Sequence, residues 1–512
     1  MSKVFTEISK IVKNHKIKYA FGIPGGGKSL ELIDALSQQG IKFITTHHEA
    51  SAAIMAGTIG KISNSFGLCI SIKGPGLTNM LPGISLCHFE NFPIISICES
   101  YDDNIIYSSK HKGLNHAKLT NEISKENIFL NNNDKNFSKA IEISKKNIKG
   151  PVIFNLADGK NYSPMKDTNI FDDRIDFQKI KKYKKPLIIL GSTKIDKNIT
   201  EKIKELKIPI FTTLAAKGSI DEKSDYIAGI YTGVGKKISP EFSLIENSDL
   251  IIGINLKNNE LLSTLPFNSK SISINTYNNE KVNGFDTHKF VELDELENFL
   301  FFLQSYEWGK DKIKRSKKIL LDYLLIDKKF LPSNIFASIS DYFQRNLRFV
   351  LDTGFFCTVA EHIVLSKRKD LFLCAANSRY MGTSIPMGIS AALSDKKTPT
   401  VIIFGDGGVG MYISEIKIAV ERELPIIFIL ISDKGFGSIL KRANSAGLND
   451  ESLKIKSPSF FKVFKSFGSK CAKVKNNDDL NNRLIKWDKK PLYLECFFDE
   501  KDYKNMGCDL RN

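Results

Sequence analysis

Phe404-Gly405-Asp406-Gly407-Gly408, followed at a fixed distance by Ile431-Ser432-Asp433-Lys434-Gly435, decides the reading of this chain. Val401 to Phe404 reads as a buried strand and Pro425 to Ile431 as a second, and Met411 to Glu423 has helical periodicity. The order is strand, glycine turn, helix, strand, loop. In a parallel sheet this order puts Asp406 and Asp433 at the carboxyl ends of two strands, where open α/β sheets bind ligands. Two carboxylates there suit one hard cation such as Mg²⁺, with phosphate and water filling its other positions. The glycines let a phosphate approach the backbone, and the following helix points its N-terminus at it.

Far upstream, Phe43-Ile44-Thr45-Thr46-His47-His48-Glu49-Ala50 ends a strand with a carboxylate, and Ala52 to Gly57 continues as a helix of small residues. Phe21-Gly22-Ile23-Pro24-Gly25-Gly26 precedes it and Gly74-Pro75-Gly76-Leu77-Thr78-Asn79 follows.

These segments, in this order, resemble the thiamine diphosphate (ThDP) enzymes of the acetolactate synthase-like family. The resemblance covers essentially the whole chain. It implies an α/β protein of three doubly wound parallel-sheet domains: pyrimidine-binding over residues 1–160, central over 183–305 and diphosphate-binding over 330–512. It implies Glu49 as the catalytic carboxylate that shares a proton with the pyrimidine N1′. Asp406, Asp433 and the Gly435 carbonyl become the Mg²⁺ ligands. Cofactor contacts are implied at Pro24, Gly25, Gly26, Asn79, Gly354, Arg379, Met381, Gly405, Gly407, Gly408, Gly435 and Phe436. Within that set, Met381 props the bent cofactor and the Arg379 carbonyl accepts from its amino group. The family places its cofactor between two copies, so a homodimer or homotetramer is expected.

Departures from the family pattern point to a specialised relative. Ser432-Asp433 replaces the usual Asn-Asn, and His111-Lys112-Gly113 stands where the synthases have Phe-Gln-Glu. Phe355-Phe356 replaces Gln-His, and Gly437 to Arg442 lacks the tryptophan that true synthases use for substrate choice. His47-His48 is not at the position of the pyruvate decarboxylase pair. The expected reaction is decarboxylation of a 2-oxo acid with carboligation to a second carbonyl; a simple decarboxylase releasing an aldehyde is the alternative. Phe355 and Phe356 suggest an apolar wall, and Lys73 and Lys112 either attract an anionic substrate or face solvent. Ile254-Asn255-Leu256-Lys257 lacks the Arg-Phe-Asp-Asp of flavin-binding members, which makes FAD doubtful. Gly233-Val234-Gly235 lacks the third glycine of a dinucleotide fingerprint.

Two readings of another class remain. Gly22 to Ser29 fits G-x-x-x-x-G-K-[ST], the P-loop of an NTPase, although the preceding Ile17 to Phe21 is short and half polar and no hydrophobic strand ending in Asp follows within a hundred residues. A non-catalytic ThDP-fold binding protein is the other.

The 512 residues allow about three ordinary domains. The chain is 42% hydrophobic and 26% charged, a globular composition with no run long enough to span a bilayer. Its net charge of +17 is spread along the chain without an aromatic-interleaved patch, so neither nucleic acid nor membrane is expected as a partner. Met1 to His15 has no apolar signal region, and the eight scattered cysteines read as free buried thiols, which suits the cytoplasm. Asn161 to Lys185 reads as a linker, and Tyr306 to Lys329 as a connecting helix.

Overall fold

The computed structural model describes residues 2–512 apart from 103–110, 164–172, 194–196, 264, 278–280, 457–458, 507–509 and 511–512. Cys508 and the middle of the expected linker lie outside the described residues.

Three parallel six-stranded sheets follow one another along the chain. The first contains β1 (Tyr19–Gly22), β2 (Lys42–Thr45), β3 (Gly67–Ser71), β4 (Ile94–Glu99), β5 (Glu126–Phe129) and β6 (Pro151–Leu156), in the order β2-β1-β3-β4-β6-β5. The second contains β7 (Pro186–Leu190), β8 (Ile210–Thr212), β9 (Ile227–Ile230), β10 (Leu250–Ile254), β11 (Lys270–Asn275) and β12 (Thr287–Phe290), ordered β12-β11-β10-β7-β8-β9. The third contains β13 (Arg348–Leu351), β14 (Phe372–Cys374), β15 (Thr400–Phe404), β16 (Ile426–Leu430), β17 (Lys470–Val474) and β18 (Leu492–Cys496), ordered β14-β13-β15-β16-β18-β17. Most crossovers carry an α-helix, as parallel pairing favours; among the described residues, β8 to β9 and β10 to β11 carry only a 3-10 turn. The central strands are buried along their whole length, which is why β7, β10, β15 and β16 read as near-continuous Ile, Leu and Val. The strand order reverses between β1 and β3, between β10 and β7, and between β13 and β15. These three switch points open crevices at the strands' carboxyl ends.

The first and third sheets are joined by one apolar core. The Glu49–Ser63 helix packs on the Ser384–Ser394 helix, with Ala52, Ala53, Ala56, Ala391 and Ala392 in the same cluster as Phe21, Met80, Val350 and Phe404. Small residues let these helices close on each other and on the sheets. A Cβ on Gly67 at the start of β3 would lie 1.8 Å from the Ala56 carbonyl oxygen.

Two local expectations are corrected. Met411 to Glu423 is not one helix. A single turn over Asp406–Val409 is followed by a 3-10 turn over Ile413–Glu415 and a short helix over Ile416–Glu421. The break turns Glu415 inward, where its carboxylate accepts from the His47 N–H at 3.0 Å and faces His47 Nδ1 at 3.1 Å. Glu49 does not end a strand either. β2 stops at Thr45, and Glu49 opens the next helix behind an N-cap at His48, whose Nδ1 accepts from the Ala50 N–H at 3.1 Å. The Lys310–Leu324 helix stands where a connecting helix was expected, whereas β9 and β12 carried no signal strong enough to be read.

Gly67→Ala should lower stability by about 1–3 kcal/mol, the usual cost of forcing a methyl into a packed core. Urea unfolding checks this, and an unchanged midpoint would mean that the helix carrying Glu49 can move away from β3.

Candidate functional site

The crevice between β13 and β15 collects most of the residues singled out in the sequence. Gly354, Met381, Gly405, Asp406, Gly407, Gly408, Asp433, Gly435 and Phe436 all line one cavity of about 130 Å³. Asp406 leaves β15 and is buried. Its carboxylate accepts from Ser432 Oγ at 2.9 Å and from the N–H groups of Asp433 and Lys434, each at 3.0 Å. The β15 acid thereby fixes the loop after β16. Asp433 lies beside the start of the Gly437–Ser445 helix, where a Cβ on Gly437 would fall 1.7 Å from its Oδ2.

The glycines here are imposed by neighbours. A Cβ on Gly407 would lie 2.6 Å from the Phe436 ring and 2.7 Å from Met381 Cε, so only a bare backbone keeps those two side chains together above the turn. Gly408 is tighter still, its Cβ position being 1.8 Å from Asp352 Oδ2. Asp352, at the end of β13, accepts from the Thr353 N–H at 2.9 Å and the Gly382 N–H at 2.8 Å, and so ties down the loop that carries Arg379 and Met381. Arg379 holds φ +54° and Gly382 φ +77°, so this loop departs twice from ordinary backbone geometry. Burial pushes the Asp352 carboxyl up to about 7, against the opposing pull of the Gly382, Thr353 and Thr383 N–H groups.

The same loop is held from its other side by the first sheet. Glu90, just after the Pro75–Phe89 helix, accepts from the N–H groups of Ala376 at 3.2 Å, Asn377 at 3.0 Å and Ser378 at 2.8 Å, and from Ser378 Oγ at 2.8 Å. The Tyr380 hydroxyl donates to Ser85 Oγ at 2.9 Å. Sequence reasoning missed Glu90 because its partners lie almost three hundred positions away. It also missed Tyr503, a buried wall of the Asp406 cavity on the C-terminal Glu500–Asn505 helix. Burial, and then the nearby Asp433 carboxylate, push its phenol far up, and Phe355 leans on its ring at 5.3 Å. A lone tyrosine in a polar tail carries no motif.

Glu49, Asn79, Pro24, Gly25 and Gly26 lie on helices and a loop around the first sheet and line no part of this cavity. Glu49 is buried at the head of its helix, and its Oε2 accepts from Asn79 Nδ2 at 3.1 Å. Pro24 to Gly27 link β1 to the Lys28–Gln38 helix, and a Cβ on Gly25 would strike Ile72 Cγ2 at 2.1 Å. At that helix start, Glu99 accepts from the Ser29 N–H at 2.9 Å and from Ser29 Oγ at 2.5 Å. β4 is thus a hydrophobic strand ending in an acid that the sequence reading did not weigh. The acid occupies the place where a P-loop would cradle phosphate, which counts against the NTPase reading. Lys73 is committed to this acid as well, with Nζ 3.8 Å from Glu99 Oε2 and 4.8 Å above the Tyr101 ring. Lys112 is exposed. Phe356 is buried against Gly354 and Gly405.

The central crevice is filled by the chain's own side chain. Glu260 accepts from the Ser192 N–H at 3.0 Å, Ser192 Oγ at 2.6 Å and Thr213 Oγ1 at 2.7 Å, beyond β7 and β8. The Gly233-Val234-Gly235 turn is taken likewise by Glu241, which accepts from the N–H groups of Thr232 at 3.0 Å, Gly233 at 2.6 Å and Gly235 at 3.3 Å. Burial raises both carboxyls above their ordinary range. Among the described residues, no group of three or more His, Cys, Asp or Glu side chains could hold a metal by itself. A cation at Asp406 and Asp433 would therefore draw on backbone carbonyl and phosphate oxygen as well.

Family models match three successive segments: the thiamine pyrophosphate enzyme N-terminal TPP binding domain at residues 2–122, the central domain at 177–286 and the C-terminal TPP binding domain at 352–496. A probable acetolactate synthase large subunit of Methanococcus aeolicus is 23% identical over 98% of this chain and 94% of its own length. Another, of Methanocaldococcus jannaschii, is 23% identical over 93% and 88%. A putative thiamine pyrophosphate-containing protein, YdaP of Bacillus subtilis, is 21% identical over 92% and 87%. The chain belongs to the thiamine pyrophosphate enzymes and is a ThDP-dependent enzyme of the acetolactate synthase-like kind. No helix among the described residues is long and apolar enough to cross a membrane.

Asp352 gives the site a pH signature. The folded chain keeps this proton between about pH 4 and 7, whereas an unfolded aspartate, near 3.8, has lost it, so its contribution to stability falls as pH rises through that window. Asp352→Asn cannot titrate. Melting temperatures of variant and wild type should therefore shift in the variant's favour from pH 4 to pH 7, and a pH-independent difference would contradict the assignment.

Proposed function

We propose that this enzyme uses ThDP with Mg²⁺ to decarboxylate a 2-oxo acid and to join the remaining acyl unit to a second carbonyl compound. The observation that carries the reading is the cavity where Asp406, Asp433, Gly435, Met381 and Phe436 converge at the β13/β15 switch point. Its chemistry fits the group: two carboxylates for the metal, bare glycine backbone for the diphosphate, and Met381 with Phe436 packed above Gly407. When bound, ThDP supplies the electron sink for decarboxylation. Asp406, Asp433 and the Gly435 carbonyl hold Mg²⁺ in this reading, and Met381 with the Arg379 carbonyl orients the cofactor's organic part.

Glu49 is the proton-transfer group. Asn79 holds its Oε2, so Oε1 is the oxygen that gives and takes the proton at the cofactor's pyrimidine edge. Pro24, Gly25 and Gly26 are the further contacts proposed for that part of the cofactor. Because Glu49 and the Asp406 cavity share no lining residue, the cofactor is proposed to bridge two copies, with Glu49 of one facing Asp406 of the other. The central unit is proposed to work without flavin or nucleotide, since Glu260 already takes the N–H and hydroxyl donors of its crevice. Phe355, Phe356 and Tyr503 make one wall of the Asp406 cavity aromatic, which favours an acceptor bulkier than pyruvate.

Calorimetric titration should give tight binding with ThDP plus Mg²⁺ and none with ATP plus Mg²⁺; the reverse result would return the chain to the P-loop reading. Glu49→Gln should keep cofactor affinity within about tenfold and lower turnover by a factor on the order of 10²–10⁴. Wild-type turnover in that variant would mean that another carboxylate carries the proton. Asp406→Ala should abolish ThDP retention, while Asp433→Asn, of the same shape, should keep much of the activity. Mass spectrometry of products from pyruvate with and without larger aldehydes and keto-sugars tests the acceptor. Efficient acetolactate formation from pyruvate alone would make the enzyme an ordinary synthase.

A further inference from the structure

A second and larger cavity, of about 420 Å³, lies where the central and third units meet across the connecting helix. It shares no residue with the Asp406 cavity. Its floor is aliphatic: Ile230 of β9, Leu320 and Leu321 of the Lys310–Leu324 helix, and Ile363 at the end of the Phe355–Ile363 helix.

The cations in its wall are not equivalent. Lys217 is fully buried and committed to Glu222, at 2.7 and 2.8 Å, and to the Glu361 carbonyl at 2.9 Å. Arg345 is paired with Asp221 and donates to the Leu365 carbonyl at 3.0 Å. Lys223 stands exposed at the edge. Lys317 is different: its ammonium is half-buried, and the hydrogen bond it makes is one of 3.3 Å to the Glu222 carbonyl. Burial holds it below the usual lysine range, with Glu222 and Asp225 pulling it back up and Lys217 pushing it down. A cation kept partly dry beside an apolar floor gains most from an anion that brings its own apolar body.

We propose that this cavity is a ligand site for a small aliphatic monocarboxylate, with its carboxylate on Lys317 Nζ and its chain against Ile230, Leu320, Leu321 and Ile363. Among the described residues, Lys317 is the inner cation with no carboxylate oxygen at ion-pair distance, Glu222 and Asp225 acting on it from further off, and a single negative charge matches it. Asp341 and Glu361, also in the wall, oppose the second charge of a phosphate. The ammonium head of an amine would face Lys317 and Lys217 instead.

The test is calorimetric titration of the full-length protein with hexanoate, hexylamine, 1-hexanol and hexyl phosphate. Hexanoate should bind saturably, one per chain, with the other three at least about tenfold weaker. Lys317→Met should weaken hexanoate at least about tenfold and Lys317→Arg should preserve it. Ala337→Phe fills the cavity from the Pro332–Tyr342 helix and should abolish binding. Melting curves establish that each variant is folded. Glu49→Gln and Asp406→Ala should bind hexanoate like the wild type, which separates this site from the cofactor cavity. The proposal is overturned by absent or non-saturable hexanoate binding, by equally tight hexylamine or hexyl phosphate, by unchanged affinity in Lys317→Met or Ala337→Phe, or by loss of binding in Asp406→Ala.

Discussion

A parallel sheet ends in a problem: the N–H groups of the loops and helix starts beyond its carboxyl edge have no strand to pair with, and burial makes each unanswered one costly. This chain answers them repeatedly with acidic side chains. Asp406 takes the turn after β16, Asp352 the Met381 loop, Glu90 that loop's approach, Glu99 the helix after β1, Glu260 the turn after β7 and Glu241 the glycine turn after β9. The geometry of the site depends on these carboxylate contacts. Asp352 and Glu90 pin the two flanks of the Arg379–Met381 segment, in which Arg379 has a positive φ, while Tyr380 is held by Ser85 and Thr353.

The Pro75–Phe89 helix carries this logic from one sheet to another. Near its start, Asn79 bonds Glu49; just beyond its end, Glu90 bonds the loop of Met381. A single rigid element thus sets the carboxylate of the first unit and the prop of the third. The alanine-rich core between the Glu49–Ser63 and Ser384–Ser394 helices keeps the two sheets in register.

How much of this was legible depended on whether the signal was local. Buried parallel strands announce themselves as Ile and Leu runs, so β7, β10, β15 and β16 could be read from composition. The strand-end acids Asp406 and Asp433 were legible because glycines flank the first and each follows an apolar strand. β9 and β12 were not, being four-residue strands at sheet edges with mixed composition. The helix expected over Met411 to Glu423 failed because Glu415 turns inward to a histidine 368 positions away, a tertiary contact that periodicity cannot register. Glu90 and Tyr503 were invisible for the same reason. Lys73, read as either attracting an anionic substrate or facing solvent, is instead engaged by Glu99.

The donors at the central switch point are held by a replaceable part. The backbone there combines a strand order that reverses, a glycine at Gly191 and hydroxyl residues at Ser192 and Thr213. What closes it is one side chain on a short turn, Glu260, and not a rearranged fold. Replacing Glu260 with a small neutral residue would release the Ser192 N–H and the Ser192 and Thr213 hydroxyls into this crevice, with the three-sheet scaffold untouched.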